Sequence, residues 1–112
     1  MKVSIIIPIF KVEKYIKRCL ESVVSQDYSD IECILVNDCS PDDSFSIAKD
    51  FVDKYTGHIS FSLVSHNINK GLSEARNTGI NRSKGDYIYF LDSDDAIPND
   101  AISNLVQAAT HH

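Results

Sequence analysis

The sequence is poor in cysteine, with three residues in 112 and no Cys-x-x-Cys pair. The odd number argues against a disulfide framework, and the spacing argues against a zinc site, because such sites usually draw their ligands from closely spaced pairs. The three residues are Cys19, Cys33 and Cys39. We therefore predict a protein of a reducing cytosol whose buried cysteines are ordinary core residues.

Basic residues are also few, since 11 lysines and arginines stand against 16 acidic residues and give a formal net charge of -5. They are scattered along the chain, so they form no positive stripe of the kind that a nucleic-acid backbone requires. An anionic ligand such as a nucleotide diphosphate would be repelled by the protein's own field and would need backbone amides or a bridging cation. The charge balance disfavours a nucleic-acid partner and points to a metal.

Long apolar runs are missing as well, because no stretch approaches the roughly 20 residues of a membrane span. The apolar run after Met1 is too short for a signal peptide and carries no cleavage site. We expect one soluble domain over residues 1–110, cytoplasmic or, within a longer protein, at the cytoplasmic face of a membrane. The closing His111 and His112 are interpreted as the remnant of a purification tag.

What the sequence does contain is a regular alternation of short β-branched runs and amphipathic stretches. It predicts strands at 3–8, 31–37, 59–64 and 87–91. It predicts helices at 12–26, after an N-cap serine and N1 proline at Ser40 and Pro41, from 72 to near Gly85, and after Pro98. The positions predicted to face the core from the second and the last helix are Ala48, Phe51, Val52, Tyr55, Ile102, Leu105 and Val106, whereas Leu72, Ala75, Gly79 and Ile80 mark the third helix. This order implies a Rossmann-like α/β fold, a parallel sheet with helices on both faces.

Acidic residues follow the fourth predicted strand as Asp92-Ser93-Asp94-Asp95. Ligands of open parallel sheets bind at the carboxyl ends of the strands, so this position favours a functional role. Three carboxylates in one turn repel one another unless a hard cation such as Mg2+ or Mn2+ binds them. The same segment also suits a solvated turn, or a cap for the helix after Pro98.

Four more polar residues have both a structural and a functional interpretation. Asp38 follows the second strand, where it serves either as turn chemistry or as an acceptor for a base N–H of a uracil-like ring. Arg76 lies on a helix of small residues, either beneath a site or simply on the surface. Lys70, before Gly71, offers a ligand a charge and a bare backbone, or forms an ordinary loop. Glu13 suits the first turn of a helix as an exposed carboxylate.

Taken in order along the chain, four blocks resemble the family 2 glycosyltransferases, and together they cover essentially all of the chain. The blocks are Ser4-Ile5-Ile6-Ile7-Pro8-Ile9-Phe10 with the first-helix segment to Gln26-Asp27-Tyr28, Glu32 to Ser44, Gly71-Leu72-Ser73-Glu74-Ala75-Arg76-Asn77-Thr78-Gly79, and Gly85-Asp86-Tyr87-Ile88 running into the D-x-D-like Leu91-Asp92-Ser93-Asp94-Asp95. Each block alone is weak, but four in register are specific. One departure is Lys11, where the family usually has asparagine, which affects the hydrogen bonding of that turn.

The resemblance implies a GT-A fold with strand order 3-2-1-4, in which residues 1–110 are the nucleotide-sugar-binding half, truncated before later strands and the general base. It implies an inverting transferase that moves a sugar from a nucleotide-diphosphate donor, with a UDP-sugar favoured, to the hydroxyl of a saccharide or lipid-linked acceptor. This fragment would bind nucleotide and metal and lack activity alone. Truncation would also expose the outer edge of the fourth strand, which predicts a homodimer through 87–91.

By the same resemblance, the nucleotide-binding residues are Pro8, Ile9, Phe10, Glu13, Asp38, Lys70, Arg76, Asp92 and Ser93. Asp94 would coordinate the metal, Mn2+ or Mg2+, that bridges the diphosphate, and Asp95 would support it. No catalytic residue is assigned within the chain.

Two other classes of protein share parts of this pattern. A phospho-acceptor receiver domain needs an acidic pair after its first strand, where Pro8-Ile9-Phe10 offers none. A metal-dependent adhesion module has an Asp-x-Ser motif, and Asp38-Cys39-Ser40 begins one, but after the wrong strand. The acidic cluster after the fourth strand would have no explanation in that class.

Overall fold

The structure is a computed structural model that describes residues 1–110. The two histidines interpreted as a tag remnant lie outside the described residues. Residues 1–110 form four strands and four helices: β1 (Val3–Ile9), α1 (Ile16–Val24), β2 (Ile31–Asn37), α2 (Ser44–Lys54), β3 (Ser60–Ser65), α3 (Leu72–Arg82), β4 (Tyr87–Phe90) and α4 (Ala101–Thr110). No helix in this part of the chain is long and apolar enough to cross a bilayer.

The strands form one parallel sheet in the order β3-β2-β1-β4, which confirms the predicted topology. All of β1 and nearly all of β2 are buried, because these two central strands are covered on both faces. Ile5 and Ile7 belong to the larger core on the α1 side, whereas Ile34 packs with Ala75 of α3 on the opposite side. Each fully buried isoleucine contributes about 1.5 to 3 kcal/mol.

Helix α3 lies unusually close to the sheet. A Cβ atom added at Gly79 would lie 2.4 Å from Cγ2 of Ile6, so a glycine is required at this contact. The buried residues of α3 are Ala75 and Gly79, whereas Leu72 and Ile80 are 50% and 38% exposed. Of the four residues that mark this helix in the sequence, only the two small ones are buried, because the close approach leaves room only for small side chains.

The helix starts differ most from the sequence prediction. Helix α2 begins at Ser44 rather than after Ser40, whose hydroxyl donates to the Asp42 carboxylate and accepts from the backbone N–H of Lys11. Ser40 thus joins the β1–α1 loop to the β2–α2 loop and does not cap a helix. Helix α1 begins at Ile16 rather than at 12, after a turn at 13–15.

The last helix begins at Ala101, three residues after Pro98, and its first buried contact is Ile102. Val106 is partly buried against the core, as predicted, but Leu105 is 37% exposed. The prediction that Leu105 packs inward is wrong, since the helix contacts the core through Ile102 and Val106.

Candidate functional site

A cleft of about 440 Å3 opens at the carboxyl ends of the strands, where the order of the sheet reverses at β1. Six residues predicted to bind ligand line it: Pro8, Phe10, Asp38, Asp92, Ser93 and Asp94. The cleft therefore brings together segments that follow three different strands.

The shortness of β4 creates this cleft. The N–H of Leu91 donates to the carbonyl of Ile6 at 3.0 Å, and pairing between β1 and β4 stops there. The next rung of a parallel ladder would be an N–H from residue 8 to the Leu91 carbonyl. Residue 8 is Pro8, which has no N–H, so β1 continues three residues past the end of its partner and exposes the crevice.

Three exposed carboxylates cluster on one rim of the cleft. Oxygens of Asp92, Asp94 and Asp95 all lie within 4.8 Å of one another, and the loop is closed by a turn from the Asp95 N–H to the Asp92 carbonyl at 2.9 Å. Ser93 points inward and is only 5% exposed. A compact set of hard oxygen donors that repel one another fits Mg2+ or Mn2+.

The backbone of this loop is supported from α1. The Arg18 guanidinium donates to the Asp94 carbonyl at 3.5 Å, and the Cys19 thiol approaches the Asp92 carbonyl at 3.8 Å. Burial, and next the nearby carboxylates of Asp95 and Asp94, raise the pKa of Cys19 to about 12. The thiol therefore stays protonated and acts as a donor beneath the loop.

Asp38 is buried at the back of the cleft, and most of its acceptor capacity is already used. Its Oδ1 accepts from Nδ1 of His66 at 2.8 Å and from the backbone N–H of Lys70 at 2.8 Å, while Oδ2 accepts from the N–H of Gly71 at 2.9 Å. Burial alone would raise the pKa of Asp38, but these bonds from His66, Lys70 and Gly71 lower it below its usual value. Asp38 is therefore a carboxylate that holds the β3–α3 loop and also faces the cleft.

Arg76 reaches the carboxylate rim from α3. One of its guanidinium nitrogens lies 3.4 Å from Oδ1 of Asp92, and the guanidinium carbon lies 5.4 Å from the ring centroid of Phe90. Its Nε is buried and makes no hydrogen bond within residues 1–110. The structure thus places a cation beside the cluster, as expected for a residue that balances negative charge there.

Four of the predicted binding residues do not line the cleft: Arg76, and also Ile9, Glu13 and Lys70. The side chain of Ile9 is fully buried in the core. Glu13 is exposed and accepts from the N–H of Asp43 at 3.3 Å, so it joins the β1–α1 and β2–α2 loops. Lys70 contributes its backbone N–H to Asp38, and the residue is otherwise exposed.

The residues that directly follow β3 were not predicted to belong to the site. His66, the first residue after that strand, contacts both Asp38 and Thr78, and Asn69 lines the cleft. No acidic cluster marks this strand end, and a lone histidine among polar residues is typical of any loop. The available indication was positional, since all four strand ends of a parallel sheet meet at one edge.

Comparison with known proteins gives a consistent picture. Residues 4–112 match the model of the family described as Glycosyl transferase family 2. The chain is 46% identical over 107 residues to EpsJ of Bacillus subtilis, described as an uncharacterized glycosyltransferase, covering 96% of this chain and 30% of EpsJ.

Solved structures agree. TarS of S. aureus superposes with a TM-score of 0.89 at 28% identity, covering all of this chain and 33% of that one, and TarS has been crystallised with UDP and with UDP-GlcNAc. The mannosyltransferase PcManGT of Pyrobaculum calidifontis, solved with GDP-Man and Mn2+, has a TM-score of 0.92 at 23% identity over 97% of this chain and 32% of that one, a likeness of fold. The chain spans about a third of the length of EpsJ, of the TarS fragment 1–349 and of PcManGT, and 19% of a longer TarS chain.

Proposed function

The chain belongs to glycosyltransferase family 2, and from this we propose that it binds the nucleotide diphosphate of a sugar donor for an inverting glycosyl transfer. The observation that carries the proposal is the carboxylate cluster of Asp92, Asp94 and Asp95 on the rim of a cleft at the reversal of the strand order. Membership of this family sets aside the receiver and adhesion alternatives.

We propose that Asp94, with help from Asp92 and Asp95, holds Mn2+ or Mg2+. The Mn2+ found with PcManGT supports a metal in this fold, and the oxygen donor set of this chain suits either ion. When bound, the ion would neutralise the diphosphate that leaves the sugar. Arg76 would limit the charge of the cluster before a metal arrives, because its guanidinium lies beside Asp92.

The base would lie between Phe10, Pro8 and Asp38. The Phe10 ring lines the cleft and is 37% exposed, so it offers a base an apolar face. A carboxylate has about four acceptor positions, and three on Asp38 are taken, which leaves one for a single N–H such as that of uracil. The UDP and UDP-GlcNAc complexes of TarS support a uridine donor.

The remaining steps need groups that we assign to other parts of a longer protein. We propose that an acceptor hydroxyl, on a saccharide or a lipid-linked saccharide, is deprotonated by a general base outside this chain and displaces the nucleotide with inversion. This chain alone would bind donor and metal without turnover. Buried Cys19 and Cys33 are core residues, which supports a reducing, cytoplasmic location.

Calorimetric titration with UDP, GDP and TDP, each with and without Mn2+, tests the proposal. We expect UDP to bind most tightly and only with metal. Asp94→Ala should abolish this metal-dependent binding while leaving the fold intact, because it removes a metal ligand and also relieves repulsion among the carboxylates. Asp53→Ala removes an exposed carboxylate on α2 and is the matched control. An Asp94→Ala variant with unchanged Mn2+ dependence would show that the metal assignment is wrong.

Asp38→Asn tests the base contact. It should weaken UDP binding by about 1.5 to 3 kcal/mol, the range for a charge-assisted hydrogen bond, and affect ribose 5-phosphate much less. Equal losses for both ligands would mean that Asp38 only shapes the loop.

We also propose that the 112-residue chain self-associates through β4. Among residues 1–110 this strand pairs with β1 on one side, and its outer edge meets no other strand. Ile88 and Phe90 are 40% and 43% exposed, so unpaired backbone groups adjoin apolar surface. A second copy of β4, antiparallel across a two-fold axis, would satisfy both.

A further inference from the structure

His66 connects the cleft to α3 through two short hydrogen bonds. Its Nδ1 lies 2.8 Å from Oδ1 of Asp38, and its Nε2 lies 2.7 Å from Oγ1 of Thr78. The imidazole is 6% exposed and the Asp38 side chain 5%. Three secondary-structure elements meet in this contact, because Asp38 follows β2, His66 follows β3 and Thr78 belongs to α3.

The direction of these bonds follows from the chemistry of Asp38. The ionised Asp38 carboxylate has no proton to donate, so it accepts at each of its contacts, as it does from the N–H groups of Lys70 and Gly71. Nδ1 of His66 must therefore carry a proton. In a neutral imidazole Nε2 is then an acceptor, and Thr78 supplies the donor through its hydroxyl. Asp38 thus sets the tautomer, and the Thr78 hydroxyl, which can donate or accept, holds the opposite side of the ring.

The same contact positions a wall of the cleft. The loop from His66 to Gly71 leads into α3, where Gly71 has a φ of +93°, a conformation that glycine favours. Asn69 and Gly71 line the cleft, whereas His66 lies behind it. Loss of the imidazole would release Oδ1 of Asp38 on one side and leave the Lys70 and Gly71 amides without a fixed acceptor.

We propose that His66 is a positioning residue for donor binding, held as the Nδ1–H tautomer by Asp38 and kept in its orientation by Thr78. It orients the Asp38 carboxylate so that its one remaining acceptor position serves the cleft. The effect of His66 on donor binding rests on the proposed nucleotide function. The tautomer of His66 and its contact with Asp38 can be tested without any nucleotide.

Two substitutions separate the two ring nitrogens. His66→Asn places an amide donor near the position of Nδ1 and keeps the bond to Asp38, whereas His66→Gln places its amide near Nε2 and keeps only the bond to Thr78. In the same way, Thr78→Ser keeps the hydroxyl and Thr78→Val removes it at nearly constant shape. The melting temperature of all four variants should be measured first. The two variants at one position are then compared only if their melting temperatures match.

The first measurement uses nitrogen-15 NMR of the free protein near neutral pH. We expect the His66 ring to show the Nδ1–H tautomer in the wild type and in Thr78→Ser. In Thr78→Val the Nε2 signal should move, because that nitrogen loses its hydrogen bond, while Nδ1 stays protonated. Amide exchange at Lys70 and Gly71 should be about tenfold faster in His66→Gln and near wild type in His66→Asn. An Nε2–H ring in the wild type, or equal exchange in the two His66 variants, overturns the proposal.

The second measurement is the UDP titration with Mn2+. His66→Gln should bind about tenfold more weakly, in line with loss of a bond to a charged group, while His66→Asn stays within about threefold of wild type. Ribose 5-phosphate should bind both variants equally. Equal UDP affinities overturn the positioning role. A wild type that does not bind UDP would instead refute the proposed function, while the NMR measurement still decides the tautomer and the loop contact.

Discussion

Lys11 adopts a left-handed backbone conformation with φ of 54° directly after β1. This conformation costs most side chains about 1 to 2 kcal/mol, and asparagine tolerates it better. The family usually has asparagine here, so the departure seen in the sequence falls where the backbone is strained. The Lys11 ammonium compensates in part, since it lies 5.3 Å from the Phe10 ring centroid, a contact worth about 0.5 kcal/mol at an exposed site.

We predict that Lys11→Asn raises the free energy of unfolding by about 0.5 kcal/mol, because relief of the left-handed strain outweighs the lost contact with Phe10. Urea denaturation measures the change. Lys14→Asn is the control, since Lys14 is equally exposed and has a negative φ, and it should not stabilise the protein. If both variants shift stability alike, the gain does not come from the backbone at position 11.

At the scale of elements, Gln26 joins the end of α1 to the start of α4. Its Nε2 donates to the carbonyl of Pro98 at 2.7 Å, and its Oε1 accepts from the N–H of Ile102 at 3.0 Å. That N–H belongs to the first turn of α4, where amides lack a partner within the helix. Gln26 therefore caps α4 and fixes the return of the chain after the carboxylate loop.

We predict that Gln26→Ala lowers the free energy of unfolding by about 2 kcal/mol, since it removes a cap and one of the two donors to the Pro98 carbonyl, which keeps the N–H of Ala101. Gln26→Glu should cost less, because it keeps the acceptor for Ile102. Gln107→Ala changes an exposed glutamine on α4 and should stay within about 0.5 kcal/mol of wild type. Chemical denaturation distinguishes the three, and a cost for Gln107→Ala as large as that for Gln26→Ala would exclude a specific cap.

The bounds of the strands are predicted well from the sequence. The strands lie within a residue or so of their predicted bounds, because long β-branched runs are buried on both faces and little else competes for them. The start of α2 was missed because Ser40 bonds to Lys11 and Asp42 across two loops, a contact that no local pattern contains. Site residues at acidic strand ends were predicted, whereas His66 was not, since its role depends on Thr78 twelve residues away in the chain.

For the whole molecule, we predict a concentration-dependent dimer of the 112-residue chain through β4. Analytical ultracentrifugation over a wide concentration range measures it, and hydrogen exchange at 87–90 should slow as the dimer forms. Phe90→Lys should abolish association, because a charge on an edge strand opposes pairing. Ile68→Lys changes an isoleucine that is 65% exposed in the β3–α3 loop and should leave the dimer intact. A monomer at every concentration would contradict the prediction.

Pro8, the last residue but one of β1, affects how the ligand-binding crevice stays open. Two parallel strands can continue to pair as long as the backbone N–H groups that face the partner strand are present. The other residues of β1 are mostly β-branched and would allow that pairing to continue. Pro8 withholds the proton that the Leu91 carbonyl would need for the next rung. The strands β1 and β4 therefore cannot pair beyond this point, because Pro8 lacks a backbone N–H. The crevice is open before any ligand binds, so none of the binding energy is needed to separate the two strands.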